Sequence, residues 1–532
     1  MPVQITFPGI YMEEIATGVR TIPGVDTSIT AFVGSAFRGP VNRATQVTSF
    51  VDFERQFGKP GANSSLGFAV QDFFRNGGMS AVIVRLYHAD AGDPQADPPV
   101  PPPATRAHLA AVNLAFVAAS EGRWGLALRV SVDQNNIPAD AAVALGLEPS
   151  DLFNLTVSDN STKTSERFLN LTVKDGPRRV DRVLASVSEL LRYDGQPDPD
   201  KPIVVVMDAL STQEMNAPSV SDGLWLETAD FVPPEGPSSE KGLYALEQAG
   251  LFNLLCIPPY RAPADALDVD PEVVSAAAAY CENRRAMLLV DAPKDWTTAE
   301  IAKQKFTCSQ DDVGTRSRNA ALYFPRLMES DPDDEGGALQ AVSPCGAVAG
   351  VYARTDATRG VWKAPAGQGA TLIDVQGLSI TLNDLENGEL NQLGINCLRR
   401  FPPGYVIWGA RTLQGADQLG NEYKYVPVRR LALYIEESLQ RGLRWVVFEP
   451  NAEPLWAQIR LSANAFMQSL FSKGALMGTT ANDAYFVKCD AQTTTQSDID
   501  LGIINILVGY APLRPAEFVV IKIRQIAGKP SQ

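Results

Sequence analysis

Hydrophobic and polar residues alternate with two different periods along this 532-residue chain, and the places where the period changes divide it. Near the N-terminus Ile5 and Phe7 alternate with polar neighbours, Pro8-Gly9 interrupts, and Ile10 and Tyr11 resume. That pattern predicts a short extended segment with breakers, not a helix. Residues 27–40 form a β-branched run ended by glycine. Residues 66–74 then read as a helix with Phe68, Phe73 and Phe74 on its apolar face and Gly77-Gly78 as its stop. Residues 80–87 read as a buried strand. Helix, glycine stop and apolar strand in succession predict an open α/β layer.

The rhythm breaks at 93–103, where six prolines make a stiff extended linker. Beyond it, 125–132, 152–157 and 168–173 alternate cleanly, which predicts half-exposed antiparallel strands. Pro233, Pro234 and Pro237 close that region. Strand patterns then return at 251–257, 286–290 and 320–324, with helical ones at 271–284 and 298–305. The simplest division is one α/β middle domain, 21–95 and 241–375, interrupted by a β-rich insertion at 96–240.

A further module, 376–514, mixes the two periods and predicts α+β. Leu431, Ile435, Leu439 and Leu443 recur every four residues, with Arg429, Arg430, Glu436, Glu437 and Arg441 beside them, so a helix with a solvated charged face is expected there. Gly442 is placed to end it. A strand is expected at 444–448. Asn451 is placed to cap the next helix, with Pro454 in its first turn and Gly474 at its end. Strands are expected at 484–489 and 502–510. The tail, 515–532, is strongly β-forming: Val519, Ile521 and Ile523 share one face, and Lys522 and Arg524 the other.

Composition narrows the function classes. The chain is 45% hydrophobic and 20% charged, without a run of about 18 apolar residues to span a bilayer. Its N-terminus lacks the basic start and apolar stretch of a signal peptide, so synthesis and folding in the cytoplasm are expected. The six scattered cysteines make no C-x-x-C pair, which predicts buried free thiols in a reducing compartment. A net charge of −15 disfavours nucleic acid as a partner. Only His88 and His108 are available as imidazole bases or ligands. Gly367-Gln-Gly369 lacks the third glycine of a dinucleotide fingerprint. The acidic stretch 331–337 lacks the spacing of a calcium loop. No catalytic, cofactor-binding or metal residue is therefore expected, and the enzyme class is set aside.

The motifs that remain resemble those of the tail sheath proteins of contractile phages and phage-tail-like injection systems. They are Pro8-Gly-Ile-Tyr-Met-Glu-Glu14 with 27–34, Val348–Asp356 with Gly360–Ala366, Trp408-Gly-Ala-Arg-Thr412, Phe448-Glu-Pro-Asn451 and Pro515-Ala-Glu-Phe518. The resemblance implies a mechanical role. Subunits stack as hexameric rings around an inner tube, on a baseplate and below a terminal cap, and contraction drives the tube through a target envelope. It also implies an inner C-terminal module completed by N- and C-terminal arm strands (1–20 and 515–532), an outermost insertion, and no direct membrane insertion. After cytoplasmic assembly the subunit becomes part of a virion tail or an injection particle. Arm strands pair in trans with sheets of neighbouring copies. The candidates are Ile5, Phe7, Ile10, Tyr11, Phe518, Val519, Val520, Ile521 and Ile523. Arg429, Arg430, Glu436, Glu437 and Arg441 are the expected polar contacts to the tube. The competing expectation is a self-assembling shell or filament protein that does not contract.

Overall fold

The structure, a computed structural model, describes residues 20–60, 65–92, 102–111, 113–200, 213–214, 220–261, 268–308, 313–330, 339–402, 404–518 and 520. Its described parts fall into two units. The larger comprises the described residues of 28–354 and 366–420, and the smaller those of 20–27, 355–365 and 421–520.

The larger unit is built on an eight-stranded sheet. Across it the strands run Gly404–Ile407, Ile395–Phe401, Ala320–Phe324, Met287–Asp291, Leu254–Cys256, Thr30–Ser35, Ala81–Leu86 and Thr45–Val47. The six inner strands are parallel, and the two at the edges antiparallel. Parallel strands are covered on both faces, which is why they read as unbroken apolar runs. All six residues of Ala81–Leu86 are buried. Thr30–Ser35 pairs with Ala81–Leu86 on one side and with Leu254–Cys256 on the other. The sheet is thus continuous in space although about 170 residues separate those last two strands in sequence.

Much of that interval folds as two antiparallel sheets over one core. One sheet is Leu128–Asp133, Phe153–Asp159 and Thr164–Leu171; the other is Gln213–Glu214, His108–Ala111, Leu114–Ala118 and Leu191–Tyr193. Trp124, Phe116, Phe153, Leu155 and Val157 fill the space between them. Buried charge joins this layer to the parallel sheet. Arg38 meets Asp159 at 3.1 Å, with side chains 6% and 1% exposed. Arg85, in the middle of an otherwise apolar strand, donates to Ala36 O, Gly39 O and Glu121 O and faces the Glu121 carboxylate. Burial pulls its pKa down to about 10, with Glu121 opposing the shift, so the guanidinium stays charged at neutral pH.

Three expectations change. Ile395–Phe401 and Gly404–Ile407 are strands of the large sheet, so 376–420 packs with the larger unit and the division falls near residue 420, not 376. Leu398 and Val406 are buried in that sheet, and alternation within one short hairpin carries no sign of which sheet will accept it. The helix Ser65–Arg75 buries Leu66, Ala69, Val70 and Phe73 instead of Phe68 and Phe74. The thiols are mixed: five cysteines are buried, and Cys308 is exposed.

Small residues in the helix Cys345–Arg359 explain its low amphipathicity, because nine consecutive positions from Cys345 to Ala353 are buried. A Cβ on Gly346 would lie 2.0 Å from the Ala69 carbonyl oxygen, so the neighbouring helix approaches to backbone contact. Gly346→Val is expected to destabilise the chain by about 1–3 kcal/mol or more through overpacking, read as a lowered thermal midpoint. A wild-type midpoint would show that this contact is not close-packed.

Candidate assembly surface

The helix Val426–Gly442 organises the smaller unit. Pro427 sits in its first turn, where a missing N–H costs nothing. The expected stripe is present. Leu431 and Ile435 are buried, and Leu439 and Leu443 pack on the same cluster, against Phe466, Met467 and Leu470 of the helix Glu453–Ser472. Gly442 is the last helical residue, and its necessity is steric: a Cβ there would lie 2.4 Å from Ile22 Cγ2.

Both ends of the described chain are rooted on this helix. On the N-terminal side, Ile22 packs over Gly442, Val25 N–H donates to Ser438 Oγ, and Arg20 stacks on Trp445 at 4.5 Å. Gly24 is needed where it is, since a Cβ would collide with the Tyr434 hydroxyl. On the C-terminal side, Tyr425 Oη donates to Glu517 Oε2 at 3.1 Å. Just past that anchor Phe518 and Val520 are 73% and 78% exposed. The other arm candidates, Ile5, Phe7, Ile10, Tyr11, Val519, Ile521 and Ile523, lie outside the described residues.

The charged side of the helix differs from the solvated face expected of it. Arg429, Arg430 and Glu437 are buried. Arg430 forms a two-pronged ion pair with Asp356, at 2.9 and 2.6 Å, with both side chains 3% exposed, and also donates to Thr27 O. Arg429 stacks on Tyr423 at 4.8 Å and reaches Glu436 at 3.5 Å. Glu437 accepts from Arg441 one turn on. Glu436 is the partner left largely in solvent, and Arg441 is partly so. Packing on more than one side of the helix turned a polar stripe into internal ion pairs. Asp356, which the sequence reading did not single out as a partner, sits 74 residues from Arg430, and no local pattern links them.

Other local expectations also shift. Residues 444–446 form a 3₁₀ turn, not a strand, and Phe448 follows in the left-handed region at φ 72° with its side chain fully exposed. Asn451 does not cap the following helix; it accepts from Trp456 Nε1 and donates to Ile503 O, and Ala452 takes the cap position. The expected strands at 484–489 and 502–510 appear in shortened form. Tyr485–Lys488 and Leu507–Tyr510 pair antiparallel, and among the described residues this sheet has only those two strands. Leu476 and Met477 continue the pairing at one end, with Pro512 and Ala511, and along the rest of both outer edges no further strand pairs among the described residues.

Among the described residues, no cluster of histidine, cysteine, aspartate and glutamate is arranged to hold a metal, and no helix is long and apolar enough to cross a membrane. His88 and His108 bond Asp230 and Asp194, at 2.9 and 3.1 Å.

Comparison with known proteins points to one family. Residues 235–413 match a family model described as the phage tail sheath protein central domain, and 419–526 match the phage tail sheath C-terminal domain. The chain is 24% identical over 483 residues to the tail sheath protein of Burkholderia phage BcepMu, covering 89% of this chain and 88% of that protein. It is 26% identical over 182 residues to the tail sheath protein of Enterobacteria phage T4, covering 33% of this chain and 25% of that one. Its fold resembles the helical sheath of the anti-feeding prophage in its contracted state, with TM-score 0.57, 22% identity, and 98% and 100% coverage of the two chains. It also resembles the contracted sheath complex of the extracellular contractile injection system PVC, with TM-score 0.55, 20% identity, and 98% and 99% coverage.

The buried pair is open to direct test. Asp356→Ala strands the Arg430 guanidinium in the core and is expected to cost about 3–5 kcal/mol. Glu436→Ala, at a largely solvated position, should stay within about 0.5 kcal/mol. Chemical denaturation of the two variants checks both. Equal, small losses would mean that Arg430 finds another partner.

Proposed function

We propose that this chain, which belongs to the phage tail sheath family, polymerises as stacked hexameric rings around an inner tube and contracts to drive that tube through a target cell envelope. That it is a contractile tail sheath subunit is the premise. The rings, the tube and the strand linkage are the proposal. The observation that carries it is the two-stranded sheet Tyr485–Lys488 and Leu507–Tyr510, whose edges are open among the described residues. A two-stranded sheet is marginal alone and gains from further strands. The chain's own ends supply candidates: a β-forming N-terminal segment with Ile5, Phe7, Ile10 and Tyr11, and a tail that leaves its Glu517 anchor with Phe518 and Val520 exposed.

In this reading the arms of neighbouring copies add strands to those edges by main-chain hydrogen bonding. Each copy donates to one neighbour and accepts from another, so the contact is heterologous and propagates as a helix. Rooting both chain ends on the helix Val426–Gly442 supports the scheme. Subunits could then rotate while the strand linkages hold, with the arms as hinges. Glu436 and Arg441 are the proposed polar contacts to the tube, because they keep exposure where Arg429, Arg430 and Glu437 do not. Such contacts are individually weak and can be broken on contraction. Baseplate and cap proteins complete the proposed partners, with assembly in the cytoplasm.

Phe518→Asp with Val520→Asp alters two side chains that make no internal core, so monomer stability should change by no more than about 0.5 kcal/mol. Polymerisation should be lost, as it should on deleting residues 1–16. Electron micrographs of the purified proteins decide: wild type gives wide hollow cylinders and both variants give discrete particles. Cylinders of normal width from either variant would remove the arm linkage from the scheme.

A further inference from the structure

The two antiparallel sheets leave and rejoin the parallel sheet at one place. Leu224 N–H donates to His88 O at 2.9 Å, and Ser221 N–H to Ala104 O at 3.0 Å, so the outgoing and returning chains pair with each other. Between those bonds Gly223 has φ 86°, and a Cβ there would lie 2.7 Å from His88 O, so the crossing is shaped for glycine. Among the described residues, the core between the antiparallel sheets draws every buried member from 107–220. It shares none with the core that includes Val84, Leu255 and Leu288 of the parallel sheet. The antiparallel layers thus bury their apolar side chains against one another.

Polar contacts fasten these layers to the parallel sheet. Arg38 Nη1 donates to Asp159 Oδ2 at 3.1 Å, while its Nη2 donates to Arg55 O at 2.7 Å. Gly39 N–H donates to Ser120 Oγ at 2.9 Å. Arg85 Nη2 donates to Glu121 O at 3.0 Å. The Glu121 carboxylate lies 3.4 Å from Arg85 Nη1 and is also held by Arg106 at 2.6 Å. Tyr87 Oη donates to Ser221 O at 3.1 Å. The cations Arg38 and Arg85 stand on the parallel-sheet side of this seam, and the anions Asp159 and Glu121 on the other.

A seam of this kind opens more readily than either core. Charges held away from water have given up hydration, and on separation each regains it, which offsets the attraction lost. Parting an apolar interface brings no such return, because it only exposes apolar surface.

We propose that the antiparallel layers are a hinged body: a charge clamp docks them on the parallel sheet, and they open from it as a unit about the crossing at His88 and Leu224 while both cores stay folded. The clamp is Arg38 with Asp159 and Arg85 with Glu121.

Native-state hydrogen exchange of the full chain, read by mass spectrometry, tests the hinge. The clamp variant is Arg38→Met with Glu121→Gln. It leaves Asp159 its Ser161 and Thr162 donors, and Arg85 its bonds to Ala36 O and Gly39 O. A guanidinium without its carboxylate gains by reaching water, so the variant favours the open form. Peptides across 36–39 and 119–123 should exchange more than about tenfold faster than in wild type, while those of Thr30–Ser35, Ala81–Leu86, Leu128–Asp133 and Phe153–Asp159 keep their rates within about twofold. Ser120→Ala removes one crossing bond and no charge, and should shift the same seam peptides in the same direction by less. Unchanged seam peptides in both variants overturn the clamp. Strands of either layer accelerating with the seam, or a clamp variant that does not fold, show one cooperative body and overturn the hinge.

Discussion

Every β-strand carries a row of backbone donors and acceptors that must be matched, and this chain meets that constraint in two ways. In the larger unit six parallel strands are each matched on both sides, and an antiparallel strand forms either edge of the sheet. In the smaller unit Tyr485–Lys488 and Leu507–Tyr510 match each other and, among the described residues, nothing else. A two-stranded sheet beside chain ends of β-forming sequence suits a repeating unit. The open sheet is where the proposed linkage between copies begins.

Buried charge does the positioning that apolar packing cannot. Hydrophobic contact is non-directional, whereas a guanidinium with several fixed acceptors tolerates one arrangement. Arg85 and the Arg38–Asp159 pair fix the antiparallel layers to the parallel sheet, and Arg430 with Asp356 fixes the segment around residue 356 to the helix Val426–Gly442. Each of these leaves a costly unpaired charge if either partner is lost. Such internal fixtures suit the proposed scheme, in which contacts between copies rearrange.

Local pattern was enough to find most elements. The strand at 320–324, the helix at 271–284, the apolar stripe from Leu431 to Leu443 and the alternating strands near 125–132, 152–157 and 168–173 all stand where periodicity put them, because each is decided by which residues face a core. The failures share a cause as well. At 444–448 a β-branched and aromatic run has no strand to pair with, so propensity alone did not make a strand. At 395–407 the hairpin and the sheet it joins were both missed, because its strands are placed by pairing with residues 320–324, far away in sequence.

For the candidate site, the sequence by itself determined that a helix stands at 426–442 and that it carries an apolar stripe. These follow from residue identity and spacing along a few turns. Only the tertiary structure decided that Arg429, Arg430 and Glu437 are internal and that Asp356 is the partner of Arg430. It also decided that Ile22 and Glu517 root the two ends on one helix. The physical reason is that burial and pairing depend on residues brought together from 74 to several hundred positions away, and a short-range pattern contains no information about which side of a charged helix the rest of the chain will cover.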